Sequence, residues 1–118
     1  MQYVCLMYCE PAFFDRLSPE EQKAFDREAM ASDRELKRNG HLLQAKALQS
    51  AKSAVTVRIR DKKISATDGP FAETKEHLCG FILIEAASLD EAVQIASRGP
   101  FAKHGSVEVR PVYHVPEW

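Results

Sequence analysis

The sequence has 118 residues, which is enough for one domain with its own hydrophobic core. Its 16 basic and 17 acidic residues nearly cancel, so neither the basic patch of a nucleic-acid-binding protein nor a polybasic membrane-binding run is present. A signal-peptide pattern and an apolar segment long enough to span a bilayer are also missing. The three dispersed cysteines do not form a disulfide framework, and the sequence therefore predicts a reduced, cytoplasmic protein.

The first half of the chain predicts a strand, a helix and a second strand. Residues 3–8 are apolar on both alternating faces, as in a strand that is covered on two sides. Residues 12–17 are predicted to form a loop. The capping box Ser18-Pro19-Glu20-Glu21 starts a helix that we expect to end at Asn39. Extended character resumes over residues 41–48.

The middle of the chain predicts a hairpin followed by a central strand. Residues 54–67 alternate between apolar and polar positions around a tight turn at Asp61-Lys62, which indicates two half-buried strands. Asp68-Gly69-Pro70 then forms a turn, because Gly permits unusual backbone angles and Pro forces an extended exit. Residues 80–86 have no polar face and are predicted to lie in the middle of the sheet.

The last third predicts a helix and an edge strand. A second capping box, at residues 88–91, starts a helix that ends at Gly99-Pro100. Residues 107–113 form the last strand, and Pro111 places it at an edge or marks its end. Trp118 at the C-terminus is predicted to pack on a partner.

The order of elements predicts an α+β fold, the ferredoxin-like plait with an inserted hairpin (βαβ, β-hairpin, βαβ), as one domain over residues 1–118. The first and central strands are apolar on both faces, yet two helices can cover only one face of the sheet. The other face would expose more than the few hundred Å² that monomers usually expose. We therefore expect a homodimer, joined through the sheet faces into an α+β barrel.

Two motifs resemble a known family. The runs Asp68-Gly69-Pro70-Phe71-Ala72-Glu73-Thr74-Lys75-Glu76 and His104-Gly105-Ser106-Val107-Glu108-Val109-Arg110-Pro111, with Gly80-Phe81 and Leu89-Asp90-Glu91-Ala92 between them, resemble the DGPF-domain group of the YCII-related superfamily. The resemblance covers nearly the whole chain, from the first strand to Pro111. It implies a dimeric ferredoxin-like α+β barrel and, since such proteins often accompany extracytoplasmic-function sigma factors, a stress-linked or regulatory setting.

One departure from the superfamily concerns its proposed catalytic His–Asp pair, whose His lies on the first helix. Residues 19–39 contain no His, so that pair does not transfer to this chain. Any histidine partner must come from another element.

Asp68 and His104 are the candidate catalytic residues. Asp68 is suited to act as a general base or ligand anchor, and His104 is suited to be its partner, since histidine is the usual side chain for proton exchange in enzymes. Both have a structural alternative: Asp68 can cap the Asp-Gly turn, and His104 can be a turn histidine bonded to backbone. Whether the two side chains meet depends on strand ends that the sequence does not fix.

Phe71, Glu73, Lys75 and Arg110 are the candidate ligand-binding residues. Lys75 and Arg110 could hold negative charge, and Phe71 could wall a pocket together with Phe101. The alternatives are a solvated charge cluster around Lys75 and a simple Arg110–Glu108 pair on one face of the last strand.

The predicted function is that of a small dimer that binds an apolar or aromatic metabolite between sheet and loop, with proton-transfer chemistry at Asp68. A non-enzymatic regulatory or interaction dimer is the alternative. No metal site or other cofactor is predicted, since the cysteines and histidines lack the spacing of a ligand set and the glycines lack that of a phosphate-binding loop.

Overall fold

The computed structural model describes residues 1–117, so the predicted contact of Trp118 lies outside the described residues. The elements follow in the order β1 (Gln2–Cys9), α1 (Pro11–Asp15), α2 (Pro19–Arg38), β2 (Leu42–Ala47), a 3-10 turn (Ala51–Ser53), β3 (Val55–Arg60), β4 (Lys63–Asp68), β5 (His77–Glu85), α3 (Leu89–Ala96), α4 (Phe101–His104) and β6 (Ser106–Pro111).

Four antiparallel strands form the main sheet in the order β2-β5-β1-β6. This order is that of the ferredoxin-like plait, so the predicted α+β fold class is confirmed for the single chain. The central position of β5 and the edge position of β6 are also as predicted, and Pro111 ends the edge strand. The face-to-face barrel of two chains stays a prediction.

The core lies between one face of the sheet and the helices. Alternate residues of the two central strands are buried there, with Tyr3 and Cys5 from β1 and Ile82 and Ile84 from β5. Leu36 of α2 and the apolar face of α3 cover them. The buried strand residues recur at every second position and the buried helix residues about every 3.6 positions, and the two sets pack together in one core layer.

The predicted capping box at the start of α2 is present. Ser18 Oγ accepts from the Glu21 amide at 3.1 Å, and the Glu21 carboxylate accepts from the Ser18 amide at 2.9 Å. These hydrogen bonds hold the pKa of Glu21 below its usual range. At α3 only half of the box forms, because the Glu91 carboxylate accepts from the Ala87 amide instead of the Ser88 amide.

Two short helices replace segments that were predicted as loops or turns. Pro11–Asp15 is helical, since Pro11 fits a first helical turn and the Arg16 amide donates to the Ala12 carbonyl. Phe101–His104 forms a single turn after Gly99-Pro100. A helix of four or five residues is too short to show an apolar period in sequence.

The β3–β4 hairpin forms with the predicted turn, but its prediction as half-buried is wrong. Within residues 1–117 its two strands pair only with each other, and every residue of β4 is exposed. Alternation shows that one face is apolar without showing whether the same chain covers it. Among the helices of residues 1–117, none combines the length and apolar character needed to cross a membrane.

Candidate functional site

The Asp68-Gly69-Pro70-Phe71 turn lies against β3. Gly69 has φ +99°, a conformation that favours glycine, and its amide donates to the Ala54 carbonyl at 2.7 Å. The Thr56 hydroxyl donates to the Gly69 carbonyl at 2.8 Å, and the Arg58 guanidinium reaches the Phe71 carbonyl at 3.4 Å. Backbone geometry and these bonds account for the turn.

Asp68 and His104 lie on different elements, and both side chains are exposed. Asp68 is the last residue of the projecting hairpin, whereas the His104 ring stacks on Phe13 with centroids 4.8 Å apart. No hydrogen bond or ion pair joins the two within the described part of the chain. The geometry therefore gives no support to a working pair.

The four predicted ligand-binding residues do not converge either. Phe71 is 79% exposed, and Glu73 is also exposed. Lys75 Nζ lies 3.3 Å from Glu10 Oε1, and Arg110 Nε lies 2.6 Å from Glu108 Oε2, which matches the simple pairing alternative. Glu108 raises the pKa of Arg110 through this hydrogen bond.

A cavity of about 480 Å³ lies between α2 and the sheet, and we call it the helix–sheet cavity. Its volume is typical of small-molecule sites. Its walls are mostly apolar and come from α2, the sheet, α3 and the connection after α3: Phe25, Ala29, Leu36, Met7, Ala45, Ile82, Val107, Ile95, Ala96, Pro100 and Phe101. The charged residues Asp26, Lys46 and Arg98 also line it, and all three are exposed. Small Ala29 and Ser32 on the inner face of α2 leave the space open.

Asp33 is the acidic group of this cavity that is half-buried. It lies on the inner stripe of α2, one helical turn after Ala29 and just before Leu36. Its carboxylate accepts no hydrogen bond and forms no ion pair with any of residues 1–117. Burial raises the pKa of the Asp33 carboxyl. A half-buried, unpaired acid in an apolar cavity is typical of functional sites.

A second cavity of about 360 Å³, the strand-end cavity, lies where β1 ends and β5 begins. Its lining includes Cys9, Cys79 and His77. The Cys79 thiol donates to the His77 carbonyl at 3.2 Å, and burial raises the pKa of Cys9 to about 12 and also raises that of Cys79. Such thiols are poor nucleophiles. Within residues 1–117, no group of three or more His, Cys, Asp or Glu side chains is arranged to hold a metal ion.

The His104 ring belongs to a cluster of aromatic side chains beside both cavities. Phe25 is buried at its centre, with ring centroids 5.4 Å from Phe14 and 5.1 Å from Phe101. Phe25 and Phe101 line both cavities, whereas neither cavity is lined by any of the six predicted site residues.

Sequence reasoning missed Asp33, although a signal was available. The apolar stripe of α2 is thin, with small Ser32 between Ala29 and Leu36, and Asp33 falls beside it. A charged residue beside small residues on the inner face of a helix indicates a cavity. The size of that cavity depends on the distance between the helix and the sheet.

The topology defines the class of this protein as a small α+β domain with the ferredoxin-like fold. The YCII-related domain matches residues 1–116, and the chain belongs to this family. It is also 39% identical over 114 residues, 95% of this chain and 92% of the relative, to an uncharacterized protein of Rhizobium meliloti (strain 1021). The predicted superfamily is thereby confirmed, and the DGPF subgroup stays a prediction.

Proposed function

We propose that the domain binds a small ligand with an apolar body and a cationic or hydrogen-bond-donating group in the helix–sheet cavity. The observation that carries this proposal is the half-buried, unpaired carboxylate of Asp33 in the wall of a cavity of about 480 Å³, whose other charged lining residues, Asp26, Lys46 and Arg98, are all exposed. An ionised carboxylate accepts hydrogen bonds and attracts cations. The apolar walls supply the area that binds the body of the ligand.

Two small probes with the same body test the charge preference. Phenethylamine and phenylacetate both carry a phenyl ring, and they differ in the sign of the charged group. We expect phenethylamine to bind at least about tenfold more tightly, with NMR amide shifts at Ala29, Ser32 and Gly99. Asp33→Asn should abolish the difference between the probes. Glu35→Gln removes one charge from the exposed face of the same helix and should preserve it.

Equal affinities for the two probes in the unmodified protein would contradict the role of Asp33. An absence of shifts at the amides of the cavity would contradict the site itself. Proton transfer by Asp68 with His104, the DGPF-group assignment and a cytoplasmic, regulatory setting stay predictions with less support. Asp68→Asn tests the first of these, since it removes the charge and keeps the turn-forming shape.

We also propose that the protein is a homodimer through the sheet face opposite the helices. The strand register supports this interface. It places Val4 beside Leu83 and Leu6 beside Phe81 on that face, with Lys46 at one border and Glu108 at the other. An apolar centre with a polar rim is the usual anatomy of a protein interface.

Sedimentation equilibrium tests the sheet-face dimer. Leu6→Asp places a charge at the centre of the apolar stripe and should weaken dimerisation by at least about 100-fold. Gln44→Asp makes the same charge change at the polar border and should have little effect. Unaltered dimerisation of a correctly folded Leu6→Asp protein would contradict this interface.

A further inference from the structure

The β3–β4 hairpin projects from the body of the domain as an arm. Its strands are hydrogen-bonded to each other and joined by a two-residue turn in which Asp61 and Lys62 have φ 49° and 63°. The radius of gyration is 16.4 Å, whereas a compact chain of this length would have about 13.5 Å. The domain is a plate only 18 Å thick.

One face of the arm is apolar and uncovered. Cross-strand pairing places Val57 opposite Ala66 and Ile59 opposite Ile64, and Val55 continues this face to its border, where Asp68 lies opposite it. Val55, Val57, Ile59 and Ile64 are 57%, 64%, 60% and 75% exposed. The opposite face carries Thr56, Arg58, Arg60, Lys63, Ser65 and Thr67, and the Phe71 turn lies along it.

An arm of this kind requires a partner surface. An isolated two-stranded hairpin is only marginally stable in water, and no residue of this one belongs to the hydrophobic core formed within residues 1–117. Taking about 100 Å² for each large side chain, the apolar face amounts to about 400 Å². In a dimer, each of two arms would bury about 400 Å² of its own surface and an equal area of the other chain. The total buried area would be about 1,600 Å², the size of a standard specific interface.

The charge of the arm favours a second copy of this chain as the occupant. Residues 55–68 carry four basic and two acidic side chains, a net charge of +2, so the remainder of the chain carries −3. The arm of one copy is therefore opposite in charge to the body of another. Isologous exchange about a twofold axis satisfies both arms at once.

We propose that β3–β4 is an exchange arm whose apolar face packs on a second copy of this chain. The proposal goes beyond ligand binding in the helix–sheet cavity, and it is also separate from the sheet-face contact.

Two neighbouring substitutions test the arm. Ile64→Lys and Ser65→Lys each add one positive charge, on the apolar and polar faces respectively. We expect Ile64→Lys to raise the dimer dissociation constant, measured by sedimentation, at least about 30-fold, while Ser65→Lys changes it less than about threefold. Circular dichroism of both variants checks that the body of the domain remains folded.

Hydrogen exchange gives a readout that a dimer formed through the sheet alone would not produce. The amides of residues 55–68 should be protected at protein concentrations above the dissociation constant and should exchange rapidly well below it. The proposal is overturned by exchange that is independent of concentration, by equal dissociation constants for the two variants, or by a chain that is monomeric at every concentration. Protection that appears only with vesicles of anionic phospholipid would also overturn it, since a membrane would then be the occupant.

Discussion

Gly105 lies directly against the backbone carbonyl of Tyr8, where β6 begins beside β1. A Cβ on Gly105 would overlap the Tyr8 oxygen and lie 2.8 Å from Cys9 Sγ. The φ of Gly105 is −148°, which any residue adopts. The requirement at this position is therefore one of space.

Gly105→Ala should lower the free energy of unfolding by about 3 kcal/mol or more, because backbone atoms cannot yield as a side chain can. Gly40→Ala is the matched control. Gly40 has φ +78° and open space around it. Gly40→Ala should therefore lower the free energy of unfolding by only about 1 kcal/mol, through backbone conformation alone. Urea denaturation measures both, and similar losses for the two variants would contradict the steric account.

Asp33→Asn should stabilise the fold at neutral pH, by up to about 1 kcal/mol, because the neutral amide avoids the burial of a charge. Burial raises the pKa of Asp33, so the folded protein holds the proton at pH values where the unfolded chain has lost it. The stability of the unmodified protein therefore falls as pH rises from the ordinary pKa to the raised one, and it stays lower above that window.

The gain from Asp33→Asn should accordingly be full at pH 7 and vanish near pH 3. Chemical denaturation of both proteins at several pH values measures it. A gain that does not change with pH would show that burial of the charge is not the cause.

Ser18→Ala should destabilise the domain by about 1 kcal/mol, because it leaves the Glu21 amide without its acceptor at the start of α2. Ser18→Asp supplies another acceptor and should retain most of the stability. Thermal unfolding compares the two. Equal losses would indicate that packing around Ser18, and not the cap, is responsible.

The thiols of Cys5 and Cys9 should resist modification in the folded protein. Burial raises the pKa of Cys5 to about 11 and that of Cys9 to about 12, and the thiolate is the reactive form. At pH 8 a disulfide reagent should modify them at least about 100-fold more slowly than a free thiol.

Guanidinium chloride should release all three thiols at once, which provides the internal control. Cys79 is partly exposed, and comparison with Cys79→Ser identifies its share of the thiol modification. Rapid modification of two or more thiols in the native state would contradict the burial of this strand end.

The sequence predicted the fold well where the hydrophobic pattern and the helix-capping residues indicate the same elements. The strand at residues 80–86 has no polar face and lies in the middle of the sheet, and the Ser18 box starts α2 as expected. The six residues of the predicted site stay a prediction, because they do not converge on one cavity and turn geometry explains only Gly69 of the motif at Asp68. The helix–sheet cavity depends on the distance between α2 and the sheet, which small residues such as Ala29 permit but do not specify.

Residues 68–76, the longest run that resembles the family, also connect the arm to the body of the domain. At one end, the Gly69 and Phe71 carbonyls are held by Thr56 and Arg58 of the arm. At the other end, Lys75 pairs with Glu10, and Glu76 accepts from Ser106 at 2.7 Å.

Ala72 and Glu73, between these two anchors, make no hydrogen bond within the described chain. The run is therefore one of the two connections between arm and body. Its residues set the angle at which the arm leaves the domain, so substitutions at Ala72 or Glu73 should redirect the arm while leaving both sheets intact.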